Sequence, residues 1–295
     1  MFKSVIVAAA LLGAATTAHA APSRDDLLVT PIWLGAHIND KNLVILHVGS
    51  ESGYAAGHIP GAHLVTTKIL TVNRNGLSDE VPDADVLRDQ MASLGISDGS
   101  RIIVYNEGDE FQRGTRVLFT MDAAGFGDHS SLLDGGLDEW KKTGHAAVTT
   151  QTPAIVGKLS PLKMQPIVVD AEYMKAHLNK PGFPMIDARK AIFYGGTIAK
   201  VTGDGHIPGA RSMPFTTVTK EDGMLKSPEE LKAMFTAAGV KPGDHVIAYC
   251  QAGGQSSAVV FAARTIGIHP DLYDGAFQDW SKRSLPVETS TEPGK

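Results

Sequence analysis

The chain has 295 residues, 43% of them hydrophobic, with a formal net charge of −5. That length suits one large or two medium domains, and the lack of a basic cluster or basic amphipathic helix argues against nucleic acid and membrane surfaces as partners. The single cysteine, Cys250, cannot form an internal disulfide.

Residues 1–20 read as a secretory leader. Lys3 gives a short basic start, Val5 to Ala15 an apolar stretch, and Ala18-His19-Ala20 a small-residue cleavage site before Ala21. The apolar stretch is too short to span a bilayer, so the expectation is a soluble exported protein, periplasmic for a Gram-negative source. Short apolar strands follow at Leu43 to Val48, Ile102 to Tyr105 and Ser131 to Leu133, alternating with helical patterns at Asp83 to Leu94 and Thr115 to Ala124. Strands separated by helices imply βαβ units in a mainly parallel sheet with helices on both faces.

Much of this region recurs. Gly57-His58-Ile59-Pro60-Gly61-Ala62 returns as Gly205-His206-Ile207-Pro208-Gly209-Ala210, and Arg101 to Tyr105 matches His245 to Tyr249. Val29 to Asp40 matches Val169 to Lys180, and Asp134-Gly135-Gly136 with Trp140 matches Asp274-Gly275-Ala276 with Trp280. Matched blocks in one order mean two copies of one α/β fold, over residues 22–150 and 167–288, joined by a linker at 151–166. The shared glycines, prolines and tryptophans read as structural, with glycine supplying positive φ and proline fixing φ in a turn.

Function should lie where the copies differ. Asn106 stands where the second copy has Cys250, and Leu46-His47-Val48-Gly49 replaces Ile186-Asp187-Ala188-Arg189. Eight extra residues fall within Lys190 to Asp204 of the second copy. Cys250 ends the β-branched run His245 to Tyr249 and opens Gln251-Ala252-Gly253-Gly254-Gln255-Ser256, after which Ser256 to Ile266 reads as a helix. Strand, tight loop and helix N-terminus aim backbone N–H groups at a sulfur, where they stabilise a thiolate or a bound anion. In open α/β sheets ligands bind at the carboxyl ends of strands, where Cys250 stands.

Together the two Gly-His-Ile-Pro-Gly-Ala turns, the Ile186-Asp187-Ala188-Arg189 strand, the Tyr249-Cys250 loop and the Asp-Gly-Gly/Ala…Trp segments resemble the tandem-domain rhodaneses, the thiosulfate and 3-mercaptopyruvate sulfurtransferases. The resemblance covers nearly the whole mature chain. It implies two rhodanese-like domains, the first inactive and the second active, and a persulfide formed on Cys250 in the first half of a sulfur transfer. It implies no cofactor and no metal; the partners are a small sulfur donor and a thiol or cyanide acceptor, and the expected state is a monomer. Asp187, Arg189, Phe193 and Lys200 are supporting candidates, with Arg189 expected to pair with Asp187 or hold the loop. Where thiosulfate-using members carry basic residues after the cysteine, this chain has Gln251 and Ala252; further family arginines are replaced by Phe193 and Gln255. Backbone amides and Lys200 then remain to hold an anion, which favours a larger or less charged donor than thiosulfate.

Two other readings compete. A cysteine phosphatase or arsenate reductase needs an arginine after five intervening residues to grip an oxyanion in two places, and Ser256 holds that position. A non-catalytic module would bind an anion or partner, with Cys250 a vestige or redox switch. The scattered histidines show no metal-ligand spacing with Cys250, and no nucleotide-binding glycine motif is present.

Overall fold

The computed structural model describes residues 22–66, 69–196 and 205–290, so the leader and Lys200 lie outside the described residues. In the first half the strands are β1 Leu28–Val29, β2 Leu43–Val48, β3 Ala62–Val65, β4 Val72–Arg74, β5 Leu77–Glu80, β6 Arg101–Asn106 and β7 Ser130–Leu133. Its helices are α1 Arg24–Leu27, α2 Pro31–His37, α3 Glu51–Ala56, α4 Ala84–Ser93, α5 Phe111–Ala123 and α6 Gly136–Lys142. The second half has β8 Val168–Val169, β9 Met185–Asp187, β10 Arg211–Ser212, β11 His245–Tyr249 and β12 His269–Tyr273. Its helices are α7 Ala171–Ala176, α8 Ala191–Gly195, α9 Pro228–Ala237, α10 Ser256–Arg264 and α11 Ala276–Lys282.

The halves build the same five-stranded parallel sheet, in order β1-β7-β6-β2-β3 and β8-β12-β11-β9-β10. The central strands are buried on both sides, as expected for near-continuous apolar runs in a parallel sheet covered by helices. One face of each sheet has a private core, around Tyr105 and Trp140 in the first half and around Tyr249 and Trp280 in the second. The other two faces share one apolar cluster that runs through α5 and α10. Most of α5 is buried, and α10 is buried from Ser256 to Ala263, the pattern of helices with no solvent face.

The repeated residues serve the same contacts twice. The Tyr105 and Tyr249 hydroxyls accept from Ile59 N and Ile207 N at 3.0 Å. His58 and His206 stack on Tyr54 and Tyr194 at 3.6 and 3.8 Å, and their backbones bridge to Val148 and Glu288. Trp140 and Trp280 donate to the carbonyls of Ala146 and Pro286. Left-handed backbone occurs at Gly61 and Gly209, both at φ 78; Gly57, at φ 160, is extended, so its place in the turn does not depend on positive φ. The expected strand through Arg189 stops at Asp187, because the Asp187 carboxylate accepts the Arg189 N–H at 2.9 Å and turns the chain.

Gly57 N bonds Gly53 O at 3.1 Å in the first half, and Gly205 N bonds Phe193 O at 2.9 Å in the second. The span between the bonded residues is eight longer in the second half, and residues 197–204 are outside the described set. The segment 151–166 does not hang free: Gly157 N, Lys158 N and Gln165 N bond Ala92 O, Ser97 Oγ and Ala123 O of the first half.

His47, which stands where Asp187 stands, is fully buried. Burial pulls its pKa from 6.5 down to about 4, with the Glu107 carboxylate 3.9 Å away opposing and His58 adding to the shift. The unfolded chain therefore binds a proton below pH 6.5 that the folded chain refuses until about pH 4. Stability from this group is complete above 6.5 and lost as pH falls through that window. Thermal midpoints taken from about pH 7 to about pH 4.5 should fall more steeply for wild type than for His47→Gln.

Candidate active site

Cys250 sits at the carboxyl end of the central strand β11 and is 1% exposed. Its carbonyl accepts from Phe277 N at 2.9 Å, and the Gln251 carbonyl from Gln278 N at 3.1 Å, which pins the loop to the start of α11. The loop carries Gly253 at φ 81 and ends at Gln255, the residue before α10. The backbone N–H groups of Gln251 to Ser256 find no acceptor among the described residues, whereas in the first half Glu107 N is taken by Val48 O. Unpaired N–H groups beside a helix N-terminus are ready-made donors for an anion.

Ser256 contributes more than its backbone. Its hydroxyl lies 3.6 Å from Cys250 Sγ and 3.0 Å from Gly253 O, so its one proton chooses between the sulfur and the loop carbonyl. Ser257 ties Gly254 O at 2.6 Å and Gln112 O at 3.2 Å, joining the loop to the first half. Gln251 is exposed, while Ala252, Gly254 and Gln255 are half-buried.

Arg189 is 1% exposed, paired with Asp187 through Nη2 at 2.5 Å and bonded to Gly205 O at the same distance. Its guanidinium lies 3.9 Å from the Phe277 ring centre. Burial works against its charge, but the hydrogen bond and charge of Asp187 outweigh it and hold the guanidinium above its ordinary value. Arg189 thus braces the base of the extra loop and is occupied by protein groups. Phe193 sits on α8, where its carbonyl closes that loop. Lys200 lies outside the described residues, so Asp187, Arg189, Cys250 and the 251–256 loop form the connected part of the expected set.

The first half keeps the same architecture without the chemistry. A cleft of about 430 Å³ opens over Asn106, lined by Phe111, Gly136 and Lys220 among others. Asn106 Nδ2 donates to Gly108 O, and the next residue, Glu107, folds back onto Ser50 N and Oγ. With Asp109 and Glu110 following, this loop presents acids where the second loop presents neutral residues.

Sequence reading missed a buried pair at the junction. Arg116 of α5 binds Asp274 at 2.7 Å, with both side chains 7% exposed, and Asp274 also accepts Val81 N at 2.6 Å. Asp134, its counterpart, accepts Leu225 N at 3.1 Å. The repeated Asp-Gly pairs are therefore reciprocal clasps, each holding the other half's connecting segment. The duplicated aspartate was a visible signal, but its partner lies 158 residues away in sequence.

Comparison with known proteins agrees with this architecture. The Rhodanese-like domain profile matches residues 30–143 and 170–283, and the chain belongs to that family as a tandem pair of such domains. A putative thiosulfate sulfurtransferase of Synechococcus elongatus is 29% identical over 98% of this chain and 93% of its own length. The 3-mercaptopyruvate sulfurtransferase of Escherichia coli K12 is 29% identical over 87% and 95%, and the thiosulfate sulfurtransferase of Bos taurus 30% identical over 82% and 83%. An anaerobic ergothioneine biosynthesis enzyme from Chlorobium limicola shares the fold, with a TM-score of 0.82 at 22% identity over 91% of this chain and 71% of that one.

Two substitutions check the site's construction. Asp187→Ala removes the carboxylate that balances the buried Arg189 charge and should cost about 3–5 kcal/mol in denaturant unfolding. A Cβ on Gly253 would lie 2.9 Å from Asp274 Oδ1 and 3.1 Å from Arg116 Nη1. Adding left-handed backbone strain, Gly253→Ala should lose at least about 1–3 kcal/mol in the same assay.

Proposed function

We propose that the protein transfers a sulfane sulfur from a small donor to a thiophilic acceptor through a persulfide on Cys250. The observation that carries the reading is the lone cysteine at the end of β11 inside a loop whose N–H groups, Gln251 to Ser256, have no acceptor among the described residues. The activities named for the relatives support the same reaction class.

In the first half-reaction the Cys250 thiolate attacks the donor's outer sulfur. A new S–S bond forms as the bond between that sulfur and the rest of the donor breaks, the bonding pair leaving with the donor remnant. In the second, a thiol or cyanide attacks the terminal sulfur, and the S–S pair returns to Cys250 as thiolate. This is covalent catalysis in two displacements. The loop N–H groups hold the negative terminal sulfur, as fixed donors hold an oxyanion.

The donor we favour carries less charge than the thiosulfate dianion. Gln251, Ala252 and Gln255 supply no charge, and Arg189 is engaged by Asp187 and Gly205. A monoanionic 3-mercaptopyruvate asks less of a cradle made of amides. The reading also includes a single-chain enzyme exported by residues 1–20 into the periplasm of a Gram-negative source; a mature N-terminus at Ala21 checks the export.

Steady-state transfer to cyanide should proceed with a higher kcat/KM for 3-mercaptopyruvate than for thiosulfate. Cys250→Ser should abolish both the transfer and the gain of one sulfur atom on the protein. Transfer surviving in Cys250→Ser, or no sulfur uptake by wild type from either donor, would leave the non-catalytic binding module as the better account.

A further inference from the structure

The interface is symmetric in its backbone and asymmetric in its charge. Asp134 and Asp274 each accept a backbone N–H from the other half, yet the buried arginine occurs on one side alone. Arg116 on α5 reaches Asp274, while the turn of α10 in register with it carries Ala258, Val259 and Val260. The side with the arginine is the side with the cysteine.

What lies between them is the loop. Arg116 is 6% exposed and makes three kinds of contact. Nη1 holds Asp274 Oδ1 at 2.7 Å. Nη2 donates to Asp79 O on β5 of its own domain. Nη1 also stands, with Asp274, against Gly253, leaving no room for even a methyl group there. The remaining polar atom of the fork, Nε, is buried and has no hydrogen-bond partner among the described residues, so the guanidinium is held in place by its two Nη atoms. The other cross-domain ion pair among the described residues, Arg264 with Asp122 at 2.9 Å, lies at the far end of α10, away from the loop.

We infer that Arg116, a residue of the cysteine-free first domain, is a positioning residue for the sulfur-carrying loop, fixing Gly253 and so the N–H groups that receive the persulfide. The inference rests on the sulfurtransferase reading for its kinetic consequence and on geometry for its structural one. A planar guanidinium anchored at Asp274 and Asp79 is a rigid wall. Gly253 at φ 81 is backed onto that wall and onto Asp274, which limits how far the loop can shift. Without the wall the loop is free to relax, and donors displaced by even an ångström lose much of their effect on a transition state.

The test uses the full mature chain as wild type, Arg116→Met, Arg116→Lys and Arg264→Met. Turnover with cyanide is normalised to the fraction of Cys250 that takes up a sulfur atom, so that loss of folded protein does not count as loss of rate. Arg116→Met should lower normalised kcat on the order of 10–100-fold while the donor KM moves by less than about threefold. The loop's amide exchange, read at Phe277 and Gln278 whose N–H groups hold the carbonyls of Cys250 and Gln251, should accelerate while exchange in β6 stays unchanged. Arg116→Lys should recover part of both, and Arg264→Met should keep wild-type kcat and loop exchange despite a weaker interface. Arg116→Met with kcat within about twofold of wild type, or an equal loss in Arg264→Met, overturns the inference. If Arg116→Met does not fold, wild-type kcat and loop exchange in Arg116→Lys overturn it equally. Wild type that never takes up sulfur from either donor defeats the sulfurtransferase reading instead, and loop exchange then still decides whether Arg116 braces the loop.

Discussion

Each sheet has an apolar face that its own half cannot cover. The private cores around Trp140 and Trp280 close one side of each domain, but the sides carrying α5 and α10 meet in a single continuous cluster. Hydrophobic burial is the dominant favourable term in folding, and here it is shared between the halves. Separating them would expose α10, buried from Ser256 to Ala263, and the apolar side of α5. The first domain therefore persists without a nucleophile for a physical reason: it is half of the core on which the second domain stands.

That shared core brings polar groups with it. Thr115 meets Ser257 at 2.9 Å, Arg116 meets Asp274, and Ser78 exchanges hydrogen bonds with the Gln278 side chain. Gln278 in turn holds the carbonyl of Gln251 through its backbone. The loop beside Cys250 is thus attached at both ends to structures that touch the first domain. Its conformation is set by the whole interface rather than by local sequence, and glycine at position 253 lets it lie directly against that interface.

Much of this was legible in the sequence. The repeat gave two domains of one fold, because duplicated turns and strands must satisfy the same backbone twice. Cys250 stood out because the end of a β-branched run before a glycine loop is a recognisable place for chemistry, and the matching of Tyr105 with Tyr249 exposed Asn106 as its silent counterpart. Arg189 read as a partner of Asp187 or a brace for the loop, and it lies against Asp187, since two opposite charges two residues apart at a strand end have few other ways to be buried. Arg116 did not stand out. It sits in an otherwise helical pattern, 158 residues from its partner, and no local periodicity marks a residue whose role arises only when two domains pack. The Ser256 hydroxyl was likewise hidden, because its approach to the sulfur depends on how tightly the loop turns.

The extra segment after α8 begins and ends on a hydrogen bond that the first domain makes without it, Gly205 N to Phe193 O in place of Gly57 N to Gly53 O. The closing bond is kept although its donor differs in backbone, Gly57 extended at φ 160 and Gly205 left-handed at φ 91. The two halves thus differ by eight residues between one pair of hydrogen-bonded positions while strand order and clasps are the same, so the scaffold tolerates a change of chain length at this point.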